Sequence, residues 1–426
     1  MPSPLVGFML IAMEWQRSNI CKAVRLQIAA AAFGTFFIVV NPAFAQSWQL
    51  TSAPSTNWQA VASSANGTKL VAVINNNLQL SFGPGVYVST NSGADWTGNP
   101  IEEDWGASWT SVASSANGSN LVGLVYPGGP ICTSTNGGSS WTISIVPKGN
   151  WTAIASSADG RKLVTVASIH FVSSGGGGTG PIPGGIYIST NSGLNWTPDN
   201  TPPFGWRSVA SSADGNNLVV VGERIYTSTN SGASWASNSV PGTNWSSVAS
   251  SADGTKLVAA ANPGQIYTST NSGAAWTLTI APSNHWSGIA SSADGTRLVA
   301  VTYGGPIYTS ADSGATWISN NAPSANWSSV ASSADGGKLV AVIKGGGIYT
   351  SQSTLAPLLN IAVSSNNLVC SWIVPSADFV LQQNSDLTTT NWTDVTNAPT
   401  LNLTNLQNQL ILTPTNGSRF YRLKSP

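Results

Sequence analysis

Charge is what this chain has least of. Among 426 residues there are 16 Lys or Arg, 16 Asp or Glu and 2 His, so that 8% is charged, where an ordinary soluble domain has about 25%. The formal net charge is zero and no Lys/Arg cluster occurs, which leaves nucleic acid or an anionic membrane nothing to hold. General acids, bases and anion clamps are drawn from the same residue types, so the scarcity also weighs against catalysis. Cysteine is nearly missing, with 3 residues. Cys21 falls in an N-terminal leader, and Cys132 and Cys370 fall in different domains, so no disulfide framework is evident. The two histidines, His170 and His285, stand far apart without a third ligand type beside them; no metal and no other cofactor is expected. What is plentiful is Trp (18), Gly (43) and a hydrophobic share of 41%. That fills a large core beneath a surface of Ser, Thr, Asn and Gly and excludes charge-driven disorder.

Long apolar runs are missing too, with one exception. Leu26 to Val40 is apolar, preceded by Arg17, Lys22 and Arg25 and followed by Ala43-Phe44-Ala45. At about 15 residues it is short of the roughly 20 that a membrane span needs. It reads as a secretory signal over residues 1–45, cleaved between Ala45 and Gln46, with an uncleaved anchor as the alternative and either Met1 or Met13 as the start. The expected product is secreted, periplasmic or at the cell surface, with no transmembrane segment left, and monomeric.

The remaining sequence repeats. The unit W-x-x-[VI]-A-S-S-A-[DN]-G-x-x-L-V starts at Trp58, Trp109, Trp151, Trp206, Trp245, Trp286 and Trp327. In the Trp245 copy, first-strand residues Trp245 to Ser250 lead to an Asp253-Gly254 turn, a second strand from Lys256 to Ala260 and a break at Pro263-Gly264. A third strand, Ile266 to Ser269, turns at Asn271-Ser272-Gly273 into a fourth at Trp276. Four antiparallel strands in about 40 residues make one propeller blade. The last copy stops at Ser351 without its fourth strand, and Ser47-Trp48-Gln49-Leu50 at the other terminus matches the missing piece. A repeat split between termini seals a ring and leaves no free edge. The expectation is an all-β fold, a closed seven-bladed β-propeller over residues 46–352. Seven Trp in first strands and seven in fourth strands, Trp48 included, read as packing between blades.

The turn between third and fourth strands, Ser89-Thr90-Asn91-Ser92-Gly93-Ala94-Asp95-Trp96 and its copies ending at Trp141, Trp196, Trp235, Trp276 and Trp317, resembles the Asp-box or BNR repeat, S/T-x-D-x-G-x-x-W. Most copies carry Asn (Asn91, Asn136, Asn191, Asn230, Asn271) and only Asp312 keeps the acid. An Asn carbonyl still accepts turn amides. The resemblance implies a fold shared by sialidases, xyloglucanase-like glycosidases, sortilin-type receptors and a photosystem II assembly factor, with the box a structural hairpin. Sialidase chemistry would need three convergent Arg. The propeller has Arg161, Arg207, Arg224 and Arg297, of which Arg161 and Arg297 belong to the rim that carries the boxes. The F/Y-R-I-P motif is absent, so sialidase activity is not expected.

Copies differ from one another in the second-to-third-strand loops and the blade-to-blade links, which share the opposite rim, and function usually sits on such loops. The distinctive residues there are Glu102, Glu103, Asp104 and Trp105, Tyr126, His170-Phe171 in the long Ser168-to-Gly185 loop, Glu223-Arg224, His285, Tyr303 and Lys344. Glu102, Glu103, Asp104, Asp199 and Glu223 are the carboxylates left for chemistry once turn positions are set aside. The acidic cluster reads as a solvated loop, with a glycosidase pair or a sugar subsite stacked on Trp105 as alternatives. Glu223-Arg224 reads as an exposed ion pair, and Cys132, at a third-strand Tyr position, as a buried inert thiol.

Beyond Leu355-Ala356-Pro357-Leu358 the period ends. Asn367 to Val374, Asp378 to Gln383, Leu401 to Leu403, Gln409 to Thr413 and Arg419 to Leu423 read as strands of a small β-sandwich over residues 353–426. Its pattern, Phe379-Val380-Leu381-Gln382 through Phe420-Tyr421-Arg422-Leu423, resembles a module that ends many exported proteins of Verrucomicrobia-type bacteria. The expected function is a secreted, non-catalytic scaffold whose variable rim binds a glycan or protein. The alternatives are a polysaccharide hydrolase using Glu102, Glu103, Asp104 and Glu223, and an assembly factor for an exported complex.

Overall fold

The computed structural model describes residues 47–426 apart from 76–83, 100–107, 126–128, 145–148, 169, 172–180, 183, 200, 202–203, 239, 241–243, 354–358, 365–366, 374–378, 386–388, 390, 414–418 and 425–426. The expected leader lies outside the described residues. Among them every regular element is a strand.

From Trp48 to Gln352 one unit recurs, four antiparallel strands in chain order. In the Trp245 unit these are Trp245–Ser250, Leu257–Ala261, Ile266–Ser269 and Thr277–Leu278. Lys256, expected to open the second strand, stands just outside it and reaches across to the next unit, and Trp276 precedes the fourth strand. The second strand is a run of Leu, Val and Ala, buried along its whole length, because units face each other on both of its sides. The core accordingly lies between units: Trp245, Val248 and Leu257 pack with Val219, Val221 and Ile225 of the unit before. The first-strand Trp residues are at most 3% exposed, and all but one meet the third-strand Tyr of their own unit, as Trp245 meets Tyr267 at 5.4 Å between ring centroids. Where Cys132 replaces that Tyr, Trp109 turns to Trp141 instead, at 5.4 Å, and lies where a side chain at Gly123 would have to go.

The units opened by Trp109, Trp151, Trp206 and Trp245 form separate four-stranded sheets, and the others join into a 12-stranded sheet. The joints are short pairings between units, Tyr303↔Asn326 and Lys344↔Asn57. No sheet among the described residues closes on itself. Strand Trp48–Leu50 pairs with Ile348–Gln352, Trp48 opposite Ser351, as the split repeat requires.

Hydrogen bonds of three kinds stitch the units together, the first at every junction and the other two at several. Ala N–H groups donate to Ala carbonyls in the order Ala65, Ala116, Ala158, Ala213, Ala252, Ala293, Ala334 and back to Ala65, at 2.7–2.8 Å. First-strand hydroxyls donate to the next Trp carbonyl, Ser287 to Trp327 (2.7 Å) and Ser328 to Trp58 (2.8 Å). First-strand amides donate back to a Ser Oγ, Ile289 to Ser247 (3.1 Å) and Val61 to Ser329 (3.3 Å).

The turns explain where the charge went. In the first turn, Ser251 Oγ donates to Asp253 Oδ1 (2.6 Å), which also accepts the Thr255 N–H (2.9 Å), while Gly254 takes φ +73°. Lys256, two residues later, folds over Gly295 of the next unit, and its Nζ donates to the Asp294 carbonyl at 2.8 Å. Arg297 reaches Asp335 O (2.8 Å), Asn120 reaches Asp159 O (2.9 Å), Asn217 reaches Asp253 O (2.8 Å), and Lys338 reaches Ser92 Oγ (3.1 Å). In the third turn, Asn271 Oδ1 accepts the Ala275 N–H at 2.8 Å, as Asp312 Oδ1 accepts that of Thr316 at 2.8 Å. Acid and amide thus do the same work there.

The residues after Ser353 form strands Asn360–Ser364, Asn367–Ile373, Gln407–Leu412 and Thr400–Asn402 in one sheet, and Thr393–Asp394, Val380–Asn384 and Phe420–Lys424 in another. The sequence reading lacks the first of these and Thr393–Asp394. Cys370, Trp372 and Leu410 from one sheet pack on Leu381 and Leu423 from the other. Burial pushes the Cys370 thiol up to about 11, leaving it protonated and inert.

Candidate functional site

The unit has two ends, and hydrogen bonds assign each turn to one of them. Ser272 of the third turn donates its N–H to Thr255 O of the first (2.9 Å), and Ser313 to Thr296 O (2.8 Å). These near-invariant turns therefore share one rim. At the other end, second-to-third-strand loops meet the links between units, as Gly264 meets Asn284 and Asn75 meets Ser108. The described parts of these variable loops lie at this second rim.

Of the expected rim residues, Glu102, Glu103, Asp104, Trp105 and Tyr126 lie outside the described residues. His170 and Phe171 form a two-residue strand paired with Pro181–Ile182, so the long loop expected to be irregular carries a small sheet of its own; their side chains lie outside the description. Glu223 and Arg224 are exposed in a tight turn closed by Gly222 N–H to Arg224 O (3.1 Å).

The structure does bring together His285, Tyr303 and Lys344, which occupy neighbouring junctions. The Tyr303 N–H donates to His285 O (2.9 Å), and His285 Nδ1 lies 3.0 Å from Asn262 Oδ1 of the unit before. Tyr303 pairs with Asn326 and Lys344 pairs with Asn57. Tyr303-Gly304-Gly305 and Lys344-Gly345-Gly346 repeat one backbone shape, with φ +80° at Gly304 and +75° at Gly345. All three side chains are exposed, Tyr303 at 55%. A fixed ladder thus presents a phenol, an ammonium and an imidazole among the amides of Asn57, Asn262 and Asn326. Sequence reading missed these Asn residues. For Asn57 and Asn326 the signal was the position just before the repeat Trp, filled also by Asn150 and Asn244; Asn262, after the second strand, carried none.

The carboxylates left for chemistry shrink by one. Asp199 accepts the Trp235 indole N–H of the next unit and the Thr201 N–H (2.7 Å), so it belongs to a seam. The turn carboxylates are likewise engaged. Burial alone would raise Asp253, but hydrogen bonds from Ser251 and Thr255 and the nearby Lys256 outweigh it and hold its pKa below the ordinary value. Asp159, Asp214 and Asp312 are lowered in the same way against their own burial.

A cavity lies at the opposite, invariant end. It measures about 160 Å³ and is lined by the Ala ring, by first-strand serines such as Ser63 and Ser250, and by Leu406 of the C-terminal sheets.

No family model matches the chain, and no curated protein matches it. Solved structures do. YCF48 from Cyanidioschyzon merolae matches at 16% identity with a TM-score of 0.55, covering 72% of this chain and 98% of that one. A structure of YCF48 bound to D1 peptide matches at 17% identity with a TM-score of 0.53, covering 74% and 97%. The likeness establishes a β-propeller fold. Among the described residues no helix is long and apolar enough to cross a membrane.

Proposed function

We propose that this chain is an exported, non-catalytic scaffold, a closed seven-bladed propeller of the Asp-box type whose variable rim holds an extended segment of a partner protein. Closure and blade count are supported by the Ala hydrogen bonds that return to Ala65 and by junction bonds at Ser328–Trp58 that repeat those at Ser287–Trp327. The Asp-box reading is supported by the third turns, in which an Asn or Asp Oδ1 accepts an amide four residues on. Export with cleavage between Ala45 and Gln46 rests on the leader's composition, and the intact mass of the secreted product checks it.

The observation that carries the ligand reading is the ladder of His285, Tyr303 and Lys344 across adjoining units. Rim amides match peptide N–H and C=O groups, a rigid exposed Tyr supplies contact area at low entropic cost, and Lys344 takes a carboxylate. A YCF48 structure of this fold is described as bound to D1 peptide, which is consistent with a peptide-holding rim here. Of the four carboxylates of the hydrolase reading, Glu223 stands exposed in a turn, and Glu102, Glu103 and Asp104 lie outside the described residues.

The test pans a linear-peptide display library on the full-length protein and compares recovered peptides on the parent and on H285A/Y303A/K344A. The expected result is at least tenfold weaker binding, about 1.4 kcal/mol, with an unchanged Tm. Glycan-array binding lost in the same triple variant, with no peptide recovered, would instead establish a sugar rim.

A further inference from the structure

Leu406 closes a hairpin between strands Thr400–Asn402 and Gln407–Leu412, in the C-terminal sheets and outside the repeat. Its φ is +53°, in the left-handed region that Gly or Asn fills without penalty and a Leu disfavours. Local bonds hold the tip in place: the Thr404 N–H donates to Asn402 Oδ1 (2.9 Å) and the Gln407 N–H to Asn405 Oδ1 (3.2 Å). Nothing in the hairpin calls for a Leu side chain. Leu403, beside it, is 44% exposed, whereas Leu406 is half-buried and packs with Ala65, Ala334, Ala116 and Ala293. Those are members of the hydrogen-bonded Ala ring at the invariant rim, and among the described residues Leu406 is the one from outside the repeat that lines the cavity there.

We propose that the C-terminal sheets are an intramolecular cap: the hairpin tip seats Leu406 in the Ala ring and covers the cavity at the invariant rim. The ring supplies methyl groups, and its amides and carbonyls are already bonded to one another, so it offers Leu406 an apolar seat within a surround of serines. A strained residue held in an unfavourable backbone region is expected where its side chain has work elsewhere. This assignment stands whatever the variable rim binds.

Leu406→Gly in the full chain separates a cap from a merely structural hairpin, because Gly suits the local φ and removes only the side chain. The expected result is a larger maximum dimension in X-ray scattering, with hydrogen-exchange protection retained in Asn367–Ile373 and Gln407–Leu412, and parental dimensions in Leu406→Met. An unchanged scattering profile in Leu406→Gly overturns the cap. Should that variant unfold the sheets, Leu406→Cys/Ala334→Cys decides. Mild oxidation should give an intramolecular disulfide that Leu403→Cys/Ala334→Cys does not form, and equal trapping in both pairs, or none in either, overturns the proposal.

Discussion

The two rims of the propeller are made by the same strands and differ in what their side chains touch. At the invariant rim each Asp, Lys, Arg and turn Gly reaches its own turn or the next unit: Lys256 lies on Gly295, and its ammonium sits on the Asp294 carbonyl. At the variable rim Tyr303 and Lys344 are held by backbone pairing alone and leave their side chains in solvent. Uniformity among the copies therefore marks the seams, and departure from it marks the positions that no seam constrains.

Mutations should separate the rims and the core between them in order of size. Trp245→Ala, at a fully buried seam position, should cost about 3–5 kcal/mol, whereas Tyr303→Ala should stay within about 0.5 kcal/mol; denaturant midpoints compare them. Gly254→Ala places a Cβ 2.3 Å from that of Asn217 at φ +73°, and a loss of about 2–3 kcal/mol is expected. Gly304→Ala has 3.9 Å of clearance to its nearest neighbour and should lose only the left-handed penalty of about 1 kcal/mol. Equal losses would erase the distinction between the rims. Lys256→Met keeps the stem over Gly295 but drops its hydrogen bond, worth about 1 kcal/mol; Lys344→Met should be silent.

Acid sharpens the same contrast. Asp159, Asp214, Asp253 and Asp312 have folded pKa values below their unfolded ones. Their stabilisation is therefore full above the unfolded value of about 4 and is lost as pH falls through the lowered folded values. Asn66 already fills the role without charge, accepting Ser64 Oγ at 2.7 Å and the Thr68 N–H at 3.0 Å. Replacing the four Asp by Asn should flatten the acid-unfolding curve below pH 4 and leave the neutral Tm nearly unchanged. The smallest effect is a gain: Ser272 sits at φ +56°, where the Trp109 unit has Gly137 at φ +69°, and Ser272→Gly should stabilise by about 0.5 kcal/mol.

The strands were legible because each is bounded by turn residues with local chemistry; Trp245–Ser250 and Ile266–Ser269 match their reading residue for residue. The seams were not. Lys69, Asn120, Lys162, Asn217, Lys256, Arg297 and Lys338 share one repeat position but look like interchangeable surface filler. Their common property, a side chain ending in an N–H donor, has meaning only once the next unit's Gly and carbonyl are placed beside it. Asp199 looked free for the same reason, since its partner Trp235 lies 36 residues on. The rim ladder was half legible: His285, Tyr303 and Lys344 stood out as departures from the repeat, while Asn57 and Asn326, the partners of Lys344 and Tyr303, were hidden by being the repeat's common choice.

The pairing of Trp48–Leu50 with Tyr349–Ser351 also sets a timetable for folding. Nearly every other pairing in the propeller joins neighbours in sequence and can form within microseconds as a hairpin. This one must wait until almost the whole array exists, and it carries the loop-closure entropy of the longest loop in the propeller. Linking the last propeller strand to Trp48 in a chain without the C-terminal sheets, and opening it instead between two units, would turn that distant contact into a local one and should speed the last step of folding while leaving the finished propeller as it is.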